Sequence, residues 1–268
     1  MRDFTLKSYR SLLLALQQAG YRFLTFEEFL SLPQKGKTIV LRHDVDELAW
    51  NALEIARLEN EMGVKASYYF RVVKQSNVPE VIVDVVSLGH EIGYHYEDLV
   101  LADGDEKKAL ETFESHLAYF RNYYPVKTVS MHGSSSSKYD NRLLWKNHGL
   151  SDYGLLGEPY LSIDFNQVFY MTDTGFAWDG GKYATRDVVE NGFDMKFHST
   201  SQVVRCVERG DFPEQSMILA HTLWTDNLLQ WYGLHIREFF RNNLKLIAKK
   251  NRFIGNLYGK MVAWYWKK

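Results

Sequence analysis

Leu41-Arg42-His43-Asp44-Val45-Asp46 follows the apolar run Thr38-Ile39-Val40, so a buried strand delivers an imidazole and two carboxylates to one strand end. Carboxylates held a few ångströms apart repel and raise each other's pKa, and gathering them is costly unless something positive sits among them. A divalent metal ion resolves that conflict. A second segment, Gly89-His90-Glu91-Ile92-Gly93-Tyr94-His95-Tyr96-Glu97-Asp98, ends another short strand on a ligand-rich turn. Together they point to a metal-centred hydrolytic site.

Each residue also has a bland reading. Asp46 alone serves as a helix N-cap, and His95 alone as a hydrogen-bonded turn residue. His132 and His221 each precede a capping turn, Gly133-Ser134 in one case and Thr222 in the other. Co-location favours the functional reading, because four separated strand ends supply metal-compatible or proton-transferring groups toward one face.

The elements that must carry these groups alternate. Residues 9–19 place Leu12, Leu13, Leu16 and Ala19 on one helical face, and Thr25 caps a short helix to Leu32 with Glu28 in the capping-box position. Thr38 to Leu41 is predicted as a strand, with Asp46 capping the helix that carries Leu53, Ala56 and Met62. The pattern then predicts a strand at 66–72, a helix at 79–88, a short strand at 91–94, a helix at 106–123 and a strand at 126–131. Further strands are expected at 168–171 and 216–220, the latter leading into His221, before helical sequence from 226 to about 254. Such alternation is the α/β class: parallel strands, helical crossovers, and functional residues at the carboxyl ends of the strands.

On these residues the chain resembles the polysaccharide deacetylase family, also called the NodB homology domain or carbohydrate esterase family 4. Leu41 to Asp46 is similar to its Asp-Asp motif, Gly89 to His95 to its Gly-His-Glu-Ile-Gly-x-His motif, and Ile218-Leu219-Ala220-His221 to its late strand and catalytic His. The resemblance implies a distorted (β/α) barrel, a bound divalent ion (zinc foremost) and removal of N- or O-acyl groups from a carbohydrate. It implies Asp44 as base and His221 as acid, with Asp46 and His95 on the metal; which aspartate takes which role stays open. Two departures mark a divergent branch. Val45 separates aspartates that are adjacent in the family, and Leu99 stands where a second metal-binding His is expected. His132 is the expected third ligand, with Glu97 or Asp98 next. His90 is read as structural, and His43 as ligand, hydrogen-bond partner or strand-end residue.

Arg42 either keeps the base aspartate ionised or, with Tyr94, meets the substrate. Segments 157–166 and 172–180 mix aromatic rings with Asp and Asn, a combination that suits sugars, and Trp178 and Asp179 are the preferred substrate contacts. Surface-polysaccharide metabolism is expected by analogy; an amidohydrolase of small C–N substrates and a non-catalytic carbohydrate-binding protein on the same barrel are the alternatives.

With 268 residues, 46% of them hydrophobic, the chain can bury one sizeable core, and one catalytic domain is expected over 1–268. It has 32 basic and 33 acidic residues and net charge -1, so no overall field calls for nucleic acid. The charge is uneven. Residues 241–268 hold eight Lys or Arg and no acid, and subtracting that +8 from the net -1 leaves the first 240 residues at -9. Weak association of this basic end with a membrane surface is expected, against the simpler role of a solvated helix face. A lone Cys206 and the absence of a long apolar run lead to the expectation of a cytoplasmic protein.

Overall fold

The computed structural model describes residues 2–33, 35–133, 137–178, 188–190 and 192–250, the last three by backbone alone. Thr5 caps α1 (Leu6–Gln18) through a capping box with Ser8, and Leu12, Leu13 and Leu16 are buried along it. Strand β1 (Arg22–Leu24) leads to α2 (Phe26–Ser31), where Thr25 and Glu28 form the expected capping box. Then follow β2 (Thr38–Val45), α3 (Ala49–Glu61), β3 (Ser67–Phe70), α4 (Pro79–Ser87), β4 (Glu91–Tyr96) and the short α5 (Asp98–Leu101). Helix α6 (Glu106–Phe120), β5 (Val129–Met131), α7 (Pro159–Ser162), β6 (Phe169–Thr172), α8 (Thr200–Glu208), β7 (Gln215–Leu219) and α9 (Leu228–Lys250) complete the order.

All seven strands are parallel, in the order β5-β4-β3-β2-β7-β6, with β1 beside the first half of β2. The expected barrel is a curled, incomplete one, since β5 and β6 end the path without pairing among the described residues. Side chains of parallel strands alternate between two faces. Ile39, Leu41, Val45, Tyr68, Phe70, Ile92, Tyr94, Tyr96, Val129, Met131 and Ile218 pack into the large core shared with the helices. The inner face collects the other parity. Val40, Tyr69, Tyr170, Met217 and Leu219 form a second core with Phe26, Phe165 and Val168.

The expected cap at Asp46 is corrected by the structure. Helix α3 starts after Leu48, which adopts the left-handed conformation (φ 57°) and makes no side-chain cap bond. A branched residue there costs about 1–2 kcal/mol. The turn leaves the Asp46 side chain out of any capping duty.

Gly93, on the inner face of β4, has a packing reason. A Cβ at this position would collide with the Tyr69 ring and stand 2.8 Å from the Thr128 carbonyl oxygen. Overpacking of this kind costs about 1–3 kcal/mol, so Gly93→Ala should lower the urea midpoint by that much stability without changing the m-value. An unchanged midpoint would refute this account of the glycine.

Candidate active site

Two-residue alternation continues past the ends of the strands. Arg42, Asp44 and Asp46 share the inner face of β2, while His43 turns into the helix layer. There His43 Nε2 meets Glu59 Oε1 at 2.8 Å and its Nδ1 meets the Ala220 carbonyl at 2.9 Å. Glu59 also accepts from Tyr9 and Tyr68, all of them fully buried. His43 is therefore a hydrogen-bond partner that ties α1, β2, α3 and β7 together beneath the site. His90 is structural as well: its Nδ1 accepts from the Ala66 N–H, and its Nε2 faces the Ala56 carbonyl at 3.0 Å.

Three histidines converge on the aspartates from the ends of β4, β5 and β7. His95 Nδ1 lies 2.9 Å from the Ser130 carbonyl, His132 Nδ1 3.0 Å from Glu97 Oε2, and His221 Nδ1 2.7 Å from Asp173 Oδ1. A carbonyl and an ionised carboxylate can only accept, so each Nδ1 carries hydrogen and each ring offers Nε2 to its other neighbours. His95 Nε2 stands 3.4 Å from Asp46 Oδ1 and 3.6 Å from Asp44 Oδ2, and His132 Nε2 3.5 Å from Asp46 Oδ1. Asp46 Oδ1 is nonetheless a buried oxygen with no hydrogen-bond partner. It is an acceptor without a donor, ringed by imidazole nitrogens.

The two aspartates are held differently. Arg42 Nε and Nη2 grip Asp44 at 2.9 and 2.6 Å, both residues essentially buried. Burial alone would raise the Asp44 carboxyl, but Arg42 and then His95 outweigh it and hold it below the ordinary range. Asp46 is lowered further. Burial again opposes ionisation, and His132 and His95 overcome it. Arg42 thus positions Asp44, and its guanidinium stacks 4.7 Å from the Tyr160 ring while Nη1 keeps no hydrogen-bond partner.

Asp173, immediately after β6, was not among the sequence candidates, although its place at a strand end is the signal that identified the others. Its carboxylate accepts from the His221 backbone N–H at 3.0 Å and from Trp224 Nε1 at 2.7 Å, besides its contact with His221 Nδ1. Burial would lower the His221 imidazole, but Asp173 first, and Asp46 and Asp44 after it, lift it to about 10. His221 is therefore a protonated group at neutral pH in this charge set. Glu97 was also underestimated. Rather than facing the centre, it receives Arg71 Nε and Nη2 at 3.0 and 2.7 Å and backs His132, and burial is outweighed by His132 and Arg71, so that its carboxyl falls to about 2.

Two expected substrate contacts are corrected. Tyr94 is fully buried on the helix side of β4, where its hydroxyl donates to Asp98 Oδ2 at 2.8 Å. Asp98 is occupied there too, 2.8 Å from His116 Nδ1. Trp178 is 3% exposed and packs with Phe4 and Trp224, its indole N–H on Thr200 Oγ1. Both rings fill the core. Asp179 lies outside the described residues.

Among the described residues, no group of three or more His, Cys, Asp or Glu side chains stands where it could hold a metal ion without rearrangement. Two separations within the set nonetheless have the spacing of cation ligands. In tetrahedral zinc sites with bonds of about 2.0–2.2 Å, ligand atoms are roughly 3.3–3.6 Å apart, which matches both imidazole separations from Asp46 Oδ1. The orphaned oxygen is what a cation would satisfy.

No family model and no curated protein matches the chain. Among solved structures, a peptidoglycan N-acetylglucosamine deacetylase is 15% identical, with TM-score 0.43 over 86% of this chain and 89% of that one. A CE4 esterase of Streptococcus mutans is 13% identical, with TM-score 0.43 over 83% and 89%. A CE4 family pseudoenzyme from Bacillus anthracis is 12% identical, with TM-score 0.40 over 79% and 62%. At these values the likeness carries no argument about chemistry.

The raised His221 pKa links site to stability. Its ordinary value is 6.5, so the contribution from Asp173 is fully present below about pH 6.5 and is lost as pH rises through about 10. His95, also raised, adds to the same alkaline loss. Urea unfolding of chelator-treated protein should therefore show stability falling across this window, with a shallower slope for Asp173→Asn. Equal slopes in the two proteins would remove the pair from the account.

Proposed function

We propose that this chain is a metal-dependent hydrolase that removes an acyl group, N-acetyl foremost, from a carbohydrate in surface-polysaccharide metabolism. The observation that carries the reading is Asp46 Oδ1, a partnerless acceptor with His95 Nε2 and His132 Nε2 at 3.4 and 3.5 Å, beside a base and an acid on the same face. The carbohydrate comes from the motif resemblance of Gly89 to His95. Asp46, His95 and His132 would hold the ion, and two imidazoles with one carboxylate suit zinc. A bound ion of this kind acidifies water and polarises an acyl carbonyl.

The chain's own groups divide the proton work. Asp44, ionised by Arg42, accepts a proton from the attacking water, and with one carboxylate edge taken by the guanidinium it remains an acceptor of defined orientation. His221, kept protonated by Asp173, gives its Nε2 proton to the departing amine nitrogen as the tetrahedral intermediate collapses. Asp44 and His221 thus begin a turnover in opposite protonation states at the same pH. Glu97, fixed by Arg71, orients His132 so that Nε2 faces Asp46.

Chelation, or His221→Ala, should abolish acetate release from N-acetylated oligosaccharides while the melting curve stays cooperative. Undiminished release by either preparation would defeat the mechanism. Losing an outer carboxylate typically costs 10–100-fold in metal affinity, so Glu97→Gln should weaken Co2+ binding by about that factor in a spectroscopic titration. An unchanged titration would show that Glu97 does not position His132.

A further inference from the structure

Helix α9 presents its apolar residues outward. Leu228, Leu229, Tyr232, Ile236, Phe239, Phe240 and Ile247 are all exposed, Leu229 by 84% and Phe240 by 66%. At 3.6 residues per turn they fall within about 120° of the helix circumference and run for about 28 Å. The opposite side carries polar groups into the protein. Glu238 and Asn242 are buried, Asn242 donates to the Gly175 carbonyl at 3.2 Å, and Arg237 and Arg241 reach Glu47 at 2.6 and 3.5 Å. The inner side thus holds charged and amide groups together with the buried Leu234, while the outer side keeps a broad apolar stripe.

A contiguous exposed stripe of this size marks an interaction surface. Its dimensions bear on the occupant. Among the described residues the strip is about 28 Å long and one helix wide, roughly 10 Å, and covers about 300 Å2, against about 800 Å2 per partner in a stable protein interface. A bilayer needs no such area of complementary shape. Charge points the same way: residues 241–268 carry eight basic residues and no acid in a chain whose remainder is at -9. A basic, acid-free stretch that continues the sequence of an aromatic and aliphatic stripe suits a surface of anionic headgroups. No described helix is long and apolar enough to cross a membrane, so docking would be in the plane of the interface.

We infer that the outward face of α9 docks on an anionic lipid surface. The helix is joined to the catalytic centre through Glu47, the residue after Asp46, and through Gln230, whose Nε2 donates to Asn51 Oδ1 at 3.0 Å on α3. Resting on the deacylase reading above, this assigns the substrate class as a lipid-linked glycan met at the membrane rather than a free soluble sugar.

The test is co-sedimentation of the full chain with vesicles of equal parts phosphatidylcholine and phosphatidylglycerol, and with phosphatidylcholine alone. The unaltered protein should pellet with the anionic vesicles, release as salt is raised, and bind the neutral ones at least tenfold more weakly. The double variant Phe239→Ser/Phe240→Ser should lose at least tenfold in vesicle affinity with an unchanged melting temperature. Its acetate release from a soluble N-acetylated oligosaccharide should be unchanged. Failure to pellet, pelleting indifferent to the double substitution, or a dimer in light scattering that the same substitution dissolves would each overturn the proposal. These outcomes leave the deacylase reading intact, because that reading is tested by acyl release from soluble oligosaccharide, by chelation and by His221→Ala, none of which depends on vesicle binding.

Discussion

Along β2 and just past its end the pleat sends Arg42, Asp44 and Asp46 to one face and His43 to the other; Arg42, His43 and Asp44 are buried, and Asp46 buries its Oδ1. On the helix side the problem is closed locally. His43 lies between Glu59 and the Ala220 carbonyl, and Tyr9 and Tyr68 each donate a further hydrogen bond to the carboxylate. On the inner side Arg42 neutralises Asp44 but leaves Asp46 to the histidines, whose positions depend on β4 and β5 being in register with β2 through β3. The close approach of Tyr69 to Gly93 is one place where that register is felt, since the inner face of β4 has no room for a side chain there.

Backing groups turn a cluster of titratable side chains into one with defined roles. An imidazole left to itself exchanges its proton between two nitrogens, and a site built on such rings would be populated by several tautomers. Here Ser130, Glu97 and Asp173 each occupy an Nδ1, by a carbonyl in the first case and a carboxylate in the other two. The difference in backing matters. A carbonyl fixes orientation with little charge, whereas Asp173 adds a full negative charge and drives His221 to about 10. Glu97 adds one as well, but it is shared with Arg71, so His132 is oriented by a carboxylate whose charge is largely taken up.

Much of this was legible in the residues. The alternating periodicities located β2, β3, β4, β6 and β7 and most helices to within a few positions, and the parity of each strand, read outward from its apolar members, sorts Asp44, Asp46, His95, His132 and His221 onto one side. The same parity could have removed Tyr94, which alternates with His95 and so belongs to the helix layer. Asp173 was legible too, by the rule that a strand delivers its next residues to the mouth, but a lone Asp after Phe169–Thr172 has no neighbouring motif to draw attention to it. Trp178 was not legible, because aromatic composition cannot tell a ring that meets sugar from one that meets Phe4 and Trp224. Nor was the freedom of Asp46, which depends on Leu48 taking a left-handed turn that no residue type there foretells.

Leu99 is carried away from the aspartates by the path of the backbone. After β4 the chain folds at once into α5, and Leu99 is 5% exposed within the helix-side core, four residues past His95 but on the wrong side of the sheet. A histidine placed there would bury a polar ring in the apolar helix-side core, at the cost of an unpaired polar group. His132 reaches the centre from β5 instead, with its backbone N–H donating to the Tyr96 carbonyl at 2.8 Å and its own carbonyl accepting from Asn141 Nδ2 at 2.8 Å. Its position is thus set by the adjacent strand and its tilt by Glu97, the residue between β4 and α5. The turn that carries Leu99 away from the site is the turn that places Glu97 behind His132, so one local backbone path both buries residue 99 in the helix-side core and fixes the ring that reaches Asp46 from β5.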